Sequence, residues 1–320
     1  MPGRMKAAHA SALAAGFVTG LALLSTAAGA ACRYQRVGSV PLDWSSGRPM
    51  IEGSVNGHPA RVLADSSTTG VALSTAFANR LGLGLEHVPV EVQGVGGPVQ
   101  DYRARVDEIT FGKVVWKAAH VEVFDIPAPA DAVAGASFLF QRDLEMTADA
   151  ITFFEPADCG DSPLGYWADD VPWVATEPTS ERHREVIVTV KVNGRAVRAF
   201  VASGAQSSLL DLSVARELGF VPPADGQGSF QMGGTGNGRL TAWSTVFDTF
   251  EIGPETIRRP HVAVGDLHVD AKSPHMLLGA DFLRGHRLLF AGSQHRLYLS
   301  YLGGPLFHAP AQAASAPQAK

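Results

Sequence analysis

The chain is written twice. Val55-Asn56-Gly57 recurs as Val192-Asn193-Gly194, an offset of 137. The same offset pairs Arg61 with Arg198, Ser66 with Ser203, Ala78 with Ala215 and Leu81-Gly82 with Leu218-Gly219. It widens to 141 at Tyr102 and Trp243, Gly112 and Gly253, and His120-Val121 and His261-Val262. It reaches 144 where Gly135-Ala136-Ser137-Phe138-Leu139 meets Gly279-Ala280-Asp281-Phe282-Leu283. Offsets that grow only between ordered blocks mean a duplicated unit with small loop insertions. A chain of 320 residues built this way folds as two like lobes, each of ordinary domain size.

Each copy reads as mostly strand. The run 186–192 is β-branched and closed by Asn193-Gly194, a hairpin turn signal. Residues 106–111 and 246–252 are strand-like and stopped by Gly112 and Gly253. One short helical pattern stands in each copy, 75–81 and 212–218, with Gly82 or Gly219 as its C-terminal cap. Between the copies, 155–184 is rich in Pro, Asp, Ser and Thr and reads as a connector.

The ends are of another kind. Arg4 and Lys6 precede an apolar run over 10–24, and Ala28-Gly29-Ala30 offers the small residues a signal peptidase reads. The run is short of the roughly 20 residues a membrane span needs. Residues 1–30 are therefore expected to be a secretory signal, which sends the mature chain to an oxidising compartment, the bacterial periplasm. A lipoprotein reading through Cys32 fits less well, because Gly29 stands where a lipobox has leucine. From 305 to 320 the chain is mostly Ala, Pro and Gln, the composition of an unstructured tail. The lobes then occupy 31–157 and 185–304, with 158–184 linking them.

Composition removes other classes. With 46% hydrophobic and 18% charged residues the chain is globular. A net charge of −5 with scattered charges lacks the footprint of a nucleic-acid binder. Two cysteines make no Cys-rich zinc site, and no metal or cofactor is expected.

Four features recur in each copy in one order. An apolar strand runs into a polar turn: Val62-Leu63-Ala64-Asp65-Ser66-Ser67, then Phe200-Val201-Ala202-Ser203-Gly204-Ala205. A glycine-rich hairpin tip follows: Gly94-Val95-Gly96-Gly97, then Gly233-Gly234-Thr235-Gly236-Asn237-Gly238. A strand ending in glycine comes third, and an apolar-apolar-Gly element last: Val133-Ala134-Gly135 and Leu277-Leu278-Gly279. This series resembles the retropepsin-like aspartic proteases, over about residues 48–302. The resemblance implies an all-β fold: two acid-protease lobes, each a closed β barrel with a short helix, facing one another across a cleft as in the pepsin-type arrangement. It implies Asp65 and position 202 opposed at the cleft floor, with Ser66, Ser67, Ser203 and Gly204 in the active-site loops. Gly94, Gly96 and Gly97, and Gly233, Gly234 and Gly236, would form two flaps.

The bilobal fold also bears on the cysteines. Cys32 and Cys159 lie outside the repeats, one before lobe one and one after it, and the ends of such a lobe meet near the interlobe sheet. A disulfide between them is expected, the competing reading being a lipidated Cys32 with Cys159 free.

One departure decides the chemistry. The family opposes two aspartates, which at about 3 Å cannot both ionise and so share a proton. One then activates water while the other hydrogen-bonds the scissile carbonyl. Lobe one supplies Asp65, but lobe two has Ala202, whose methyl neither holds a proton nor orients water. Ser67 also replaces the glycine that permits close approach. Ser66 and Ser203 keep the hydroxyl that bonds across to the opposite loop.

Other candidates carry less. Asp281 and Ser137 stand where a helix-capping residue is expected. The segment 234–238 is followed by strand-like sequence, which fits a flap and not a dinucleotide loop. His261, His268, Asp270 and His275 lack helical ligand spacing, and no Gly-x-Ser-x-Gly elbow is present. Tyr102 and Trp243, just beyond the flap tips, are suited to sheet packing or to covering the cleft.

The expected function is a secreted monomer, without a membrane span, that binds extended peptide or an unfolded protein segment in its cleft, its catalysis lost or severely impaired. The alternatives are an active endopeptidase that uses Asp65, through dimerisation for instance, and a scaffold without ligand.

Overall fold

The two Asn-Gly pairs turn as their sequence demands. Both carry a φ of 48° at asparagine and 79° at glycine, the pair of positive angles that defines a type I′ turn and matches strand twist. In the computed structural model, which describes residues 31–307 except 89–91, 100–101, 113, 127–128, 178–179, 181–183 and 237, they build equivalent hairpins. One joins Met50–Val55 to His58–Ala64, the other Ile187–Val192 to Arg195–Val201. The expected signal segment and the tail beyond Phe307 lie outside the described residues.

Each turn asparagine works a second time through its side chain. Asn56 Oδ1 accepts the amides of Asp107 and Glu108, and Asn193 Oδ1 those of Asp248 and Thr249. In lobe two the strand expected over 246–252 is interrupted beside these bonds, whereas in lobe one Tyr102–Phe111 runs on through the equivalent ones. Leu240–Val246 and Thr249–Ile252 are separate strands with a corner at Phe247 and Asp248. The corner is how the nine-stranded sheet of lobe two closes, since those two strands belong to opposite sides of it. Lobe one closes its seven-stranded sheet by pairing Met50–Val55 with Tyr102–Phe111 as well as with His58–Ala64.

The apolar-apolar-Gly elements are short inserted strands. Ala132–Ala134 lies parallel to His58–Ala64 and antiparallel to Val71–Ser74. Met276–Leu278 lies parallel to Arg195–Val201 and antiparallel to Leu209–Asp211. The glycine that follows is required by space. A Cβ on Gly135 would stand 2.0 Å from the Gly70 carbonyl oxygen, and one on Gly279 2.7 Å from the Ser207 carbonyl carbon. Each glycine opens a four-residue helix, Ala136–Leu139 or Ala280–Leu283, so each lobe holds two short helices and not one. The expected helices are Thr75–Arg80 and Leu212–Glu217, each followed by a left-handed glycine, Gly82 or Gly219.

The lobes share a six-stranded sheet whose central pair is Asp143–Met146 against His286–Ala291. Leu144 faces Phe290, Glu145 faces Leu289 and Met146 faces Leu288. At the repeat offset of 144, Leu144 duplicates Leu288, Glu145 duplicates Leu289 and Met146 duplicates Phe290. Each residue therefore faces the mirror of its own duplicate, and a pseudo-twofold axis passes between Glu145 and Leu289.

Two boundaries move. The connector is partly built into the core: Leu164 and Val171 are buried with Leu289 and Tyr298, and Trp173–Ala175 adds an edge strand against Arg296–Tyr301. Isolated apolar residues in a polar stretch anchor it, which average composition conceals. Lobe two also runs past 304, because Phe307 is buried against Phe250 and Phe282.

Cys32 and Cys159 form a disulfide, their Cα atoms 4.1 Å apart. It sits at the end of the ladder in which Arg33 pairs with Ala157. The reading with a lipidated Cys32 and a free Cys159 does not hold for this bridged pair.

Candidate functional site

The two polar turns occupy equivalent places. Each leaves the strand that runs beside the inserted one. Asp65 N–H donates to the Ala134 carbonyl at 3.0 Å, and Ala202 N–H to the Leu278 carbonyl at 2.9 Å. The loops then grip each other. Ser66 Oγ donates to Val201 O at 2.5 Å and accepts Ser203 N–H at 3.0 Å. Ser203 Oγ donates to Ala64 O at 2.7 Å and accepts Ser66 N–H at 2.9 Å. Both serines are fully buried. Ser66→Ala strands the Val201 carbonyl and the Ser203 amide, and is expected to cost about 1–3 kcal/mol for each group left unpaired. Urea unfolding reads that loss, and Ser66→Thr, which keeps the hydroxyl, should largely avoid it.

Asp65 is surrounded by donors. Its Oδ1 accepts Ser67 N–H at 2.9 Å, Ser67 Oγ–H at 2.7 Å and, from the opposite lobe, Gly204 N–H at 3.2 Å. Its Oδ2 accepts the Thr68 hydroxyl at 2.9 Å. The carboxylate lies so close over the opposite loop that a Cβ on Gly204 would fall 2.3 Å from its carbon. Ser67 is accommodated where the family pattern has glycine by turning its hydroxyl back onto Asp65. Across from them Ala202 is fully buried and offers a methyl group.

A cation stands beside this arrangement. Arg48 Nε donates to the Gly204 carbonyl at 2.8 Å. Burial pushes the guanidinium pKa below its usual value, and the negative charge of Asp65 works against that shift. Position 185, the duplicate of 48, is Glu185, whose carboxylate accepts the Thr69 hydroxyl of the opposite lobe. Arg48, Thr68 and the Thr69 and Glu185 pair escaped the sequence reading. The signal for Arg48 and Glu185 was their shared offset of 137, which identity matching passes over because the charges are opposite.

The glycine tips meet. Gly94 and Gly97 belong to the hairpin Val92–Gly94 and Gly97–Val99, with Gly96 in its turn, and Gly233, Gly234 and Gly236 follow the strand Ser229–Met232. Gly96 N–H donates to Thr235 O at 2.8 Å, and Gly238 N–H to Gly96 O at 2.7 Å. Val95 packs on the lobe-two cluster of Leu209, Leu240 and Ala263. A Cβ on Gly94 would stand 2.0 Å from Thr235 O and one on Gly96 2.8 Å from Gly236 O, so these two are glycine because backbone meets backbone, whereas Gly233 faces open space.

The remaining candidates sort plainly. Asp281 does not cap its own helix, whose first turn begins at Gly279 without a side-chain cap. It accepts Ser208 N–H and Oγ–H instead, at 2.9 and 2.7 Å, tying lobe two's loop to that helix. Ser137 likewise caps nothing. Tyr102 packs against the main core and edge-on to His87. Trp243 sits 6.3 Å from Phe220, and its buried indole N–H finds no partner among the described residues. His268 is 3.0 Å from Asp266 in an exposed loop. Among the described residues no group of three or more His, Cys, Asp or Glu side chains could hold a metal.

The family comparison agrees with this geometry. The aspartyl protease model matches residues 51–138 and 188–282, one segment in each lobe and more than half of the chain together. The chain belongs to the aspartyl protease family. No curated protein matches it. Among solved structures it is similar to the aspartic proteinase from Irpex lacteus, with 14% identity over 82% of this chain and 97% of that one and a TM-score of 0.47.

Proposed function

We propose that this chain is a secreted, periplasmic aspartyl protease relative that binds extended peptide or unfolded protein segments between its lobes as a monomer, its own catalysis lost or severely impaired. The observation that carries this reading is the pair Asp65 and Ala202. The lone carboxylate accepts Ser67, Thr68 and Gly204, and opposite it Ala202 offers no second carboxylate with which to share a proton, so the acid half of the exchange is missing. Membership of the aspartyl protease family supports the peptide reading, since strand edges can offer backbone groups to an extended chain. Export is supported by the disulfide, a bond that persists in oxidising compartments. The monomer is favoured over a dimer that rebuilds the pair, because the Ser66 and Ser203 grip already closes the two loops upon each other within one chain.

Fluorescence anisotropy with labelled, unstructured casein-derived peptides tests the proposal. Saturable binding is expected, with every peptide recovered at full length by mass spectrometry. Absence of saturable binding contradicts the peptide reading, and shortened peptides contradict the loss of catalysis.

A further inference from the structure

Among the described residues Arg48 makes no ion-pair contact with a carboxylate, though it interacts electrostatically with Asp65. It lies partly buried between the lobes, with Nε spent on the Gly204 carbonyl at 2.8 Å. That bond orients the guanidinium, and among the described residues its terminal nitrogens, four N–H groups, make no hydrogen bond. Two neighbouring side chains are committed elsewhere. Asp65 is already engaged by Ser67, Thr68 and Gly204. Gln206, in the same lobe-two loop, is an amide that donates to the Ser46 carbonyl at 2.9 Å. The nearest negative charge is thus held by donors other than Arg48. Burial disfavours the charged form, and a half-desolvated arginine gains most from a planar anion that accepts two hydrogen bonds.

We infer that Arg48 sets the specificity of the cleft by holding a carboxylate of the bound peptide. The inference rests on the peptide-binding reading above and gives that peptide a chemical class. The carboxylate comes either from an aspartate or glutamate side chain or from a free C-terminus. The pseudo-twofold duplicate adds direction. Position 185 is acidic where 48 is basic, so a peptide carboxylate meets a cation at only one of the two equivalent places. An extended peptide, which a symmetric cleft would accept both ways round, is thereby given one orientation.

The experiment uses the full mature chain and three matched sets of labelled extended peptides, read by anisotropy at low and at moderate salt. One set compares Asp or Glu with Asn or Gln at each position, one compares a free C-terminal acid with the amide, and one is neutral throughout. The carboxylate form is expected to bind about tenfold more tightly than its amide, the size of one charge-assisted contact. The set that discriminates identifies the source of the carboxylate. Arg48→Met should bring that ratio to about one while neutral peptides keep their affinity within about threefold, and Arg48→Lys should retain part of the preference. A thermal melt of each variant checks the fold, and Arg48→Lys, which keeps the charge, carries the test if Arg48→Met does not fold. Equal affinity for acid and amide in the wild type, or a preference that survives in Arg48→Met, overturns this inference alone. Failure of every peptide to bind overturns the peptide reading and this inference with it. A uniform loss of affinity in Arg48→Met, with the ratio unchanged, marks Arg48 as a prop for the Gly204 loop and also overturns it.

Discussion

Removing the disulfide with Cys32→Ser and Cys159→Ser is expected to lower the stability of the mature chain by up to about 4–5 kcal/mol in the chain-entropy model. The bridge closes a loop across a sequence separation of 127, which ties the start of lobe one to its end. The local effect should exceed the average one. Arg33–Pro41 is an edge strand of the interlobe sheet, held by one ladder to Ala150–Ala157, and the bridge clamps the open end of that ladder. Denaturant unfolding reads the global loss, and hydrogen exchange should show the amides of that strand losing protection first. An unfolding midpoint unmoved by the double substitution contradicts the expectation, as would two reactive thiols in the unreduced wild type.

The second large effect is a gain of activity. By the pseudo-twofold, a carboxylate at 202 would lie against residue 67 as Asp65 lies against Gly204. Gly204 tolerates this because it has no side chain, its added Cβ falling 2.3 Å from the Asp65 carboxyl carbon. At residue 67 a serine Cβ occupies the same space. Ala202→Asp alone is therefore expected to stay inactive, and Ala202→Asp with Ser67→Gly to gain at least about 10²-fold in kcat/KM for peptide hydrolysis, the lower range of general acid–base assistance. Peptide mimics that carry a transition-state hydroxyl should inhibit the gained activity. Measured by cleavage of a quenched fluorescent peptide, activity in the single variant equal to that of the double would contradict the steric reasoning.

Much of this was legible in the residues. The repeat gave two lobes, the Asn-Gly pairs gave both hairpins, and Gly82 and Gly219 marked the helix ends they cap. The inserted strands were legible because Val133-Ala134-Gly135 and Leu277-Leu278-Gly279 recur in register. What escaped depends on tertiary partners. The corner at Phe247 and Asp248 is held by Asn193, some 55 residues earlier, and the same contact in lobe one lies within an unbroken strand, so nothing local marks it. Phe307 reads as tail because a run of mostly Ala, Pro and Gln follows it, yet it packs beside Phe250 and Phe282. Asp281 was assigned to its own helix by local habit, while Ser208, 73 residues away, claims it. Arg48 was invisible because its meaning lies in Gly204 and Asp65, neither near it in sequence.

Loss of catalysis is tested most directly on the unmodified protein. Purified wild type and Asp65→Asn are incubated with casein and with a peptide library at acidic and at neutral pH, and the products are identified by mass spectrometry. The expected result is no cleavage by the wild type beyond that of Asp65→Asn. Robust cleavage by the wild type that disappears in Asp65→Asn would contradict it, since Asp65 would then be catalysing opposite Ala202.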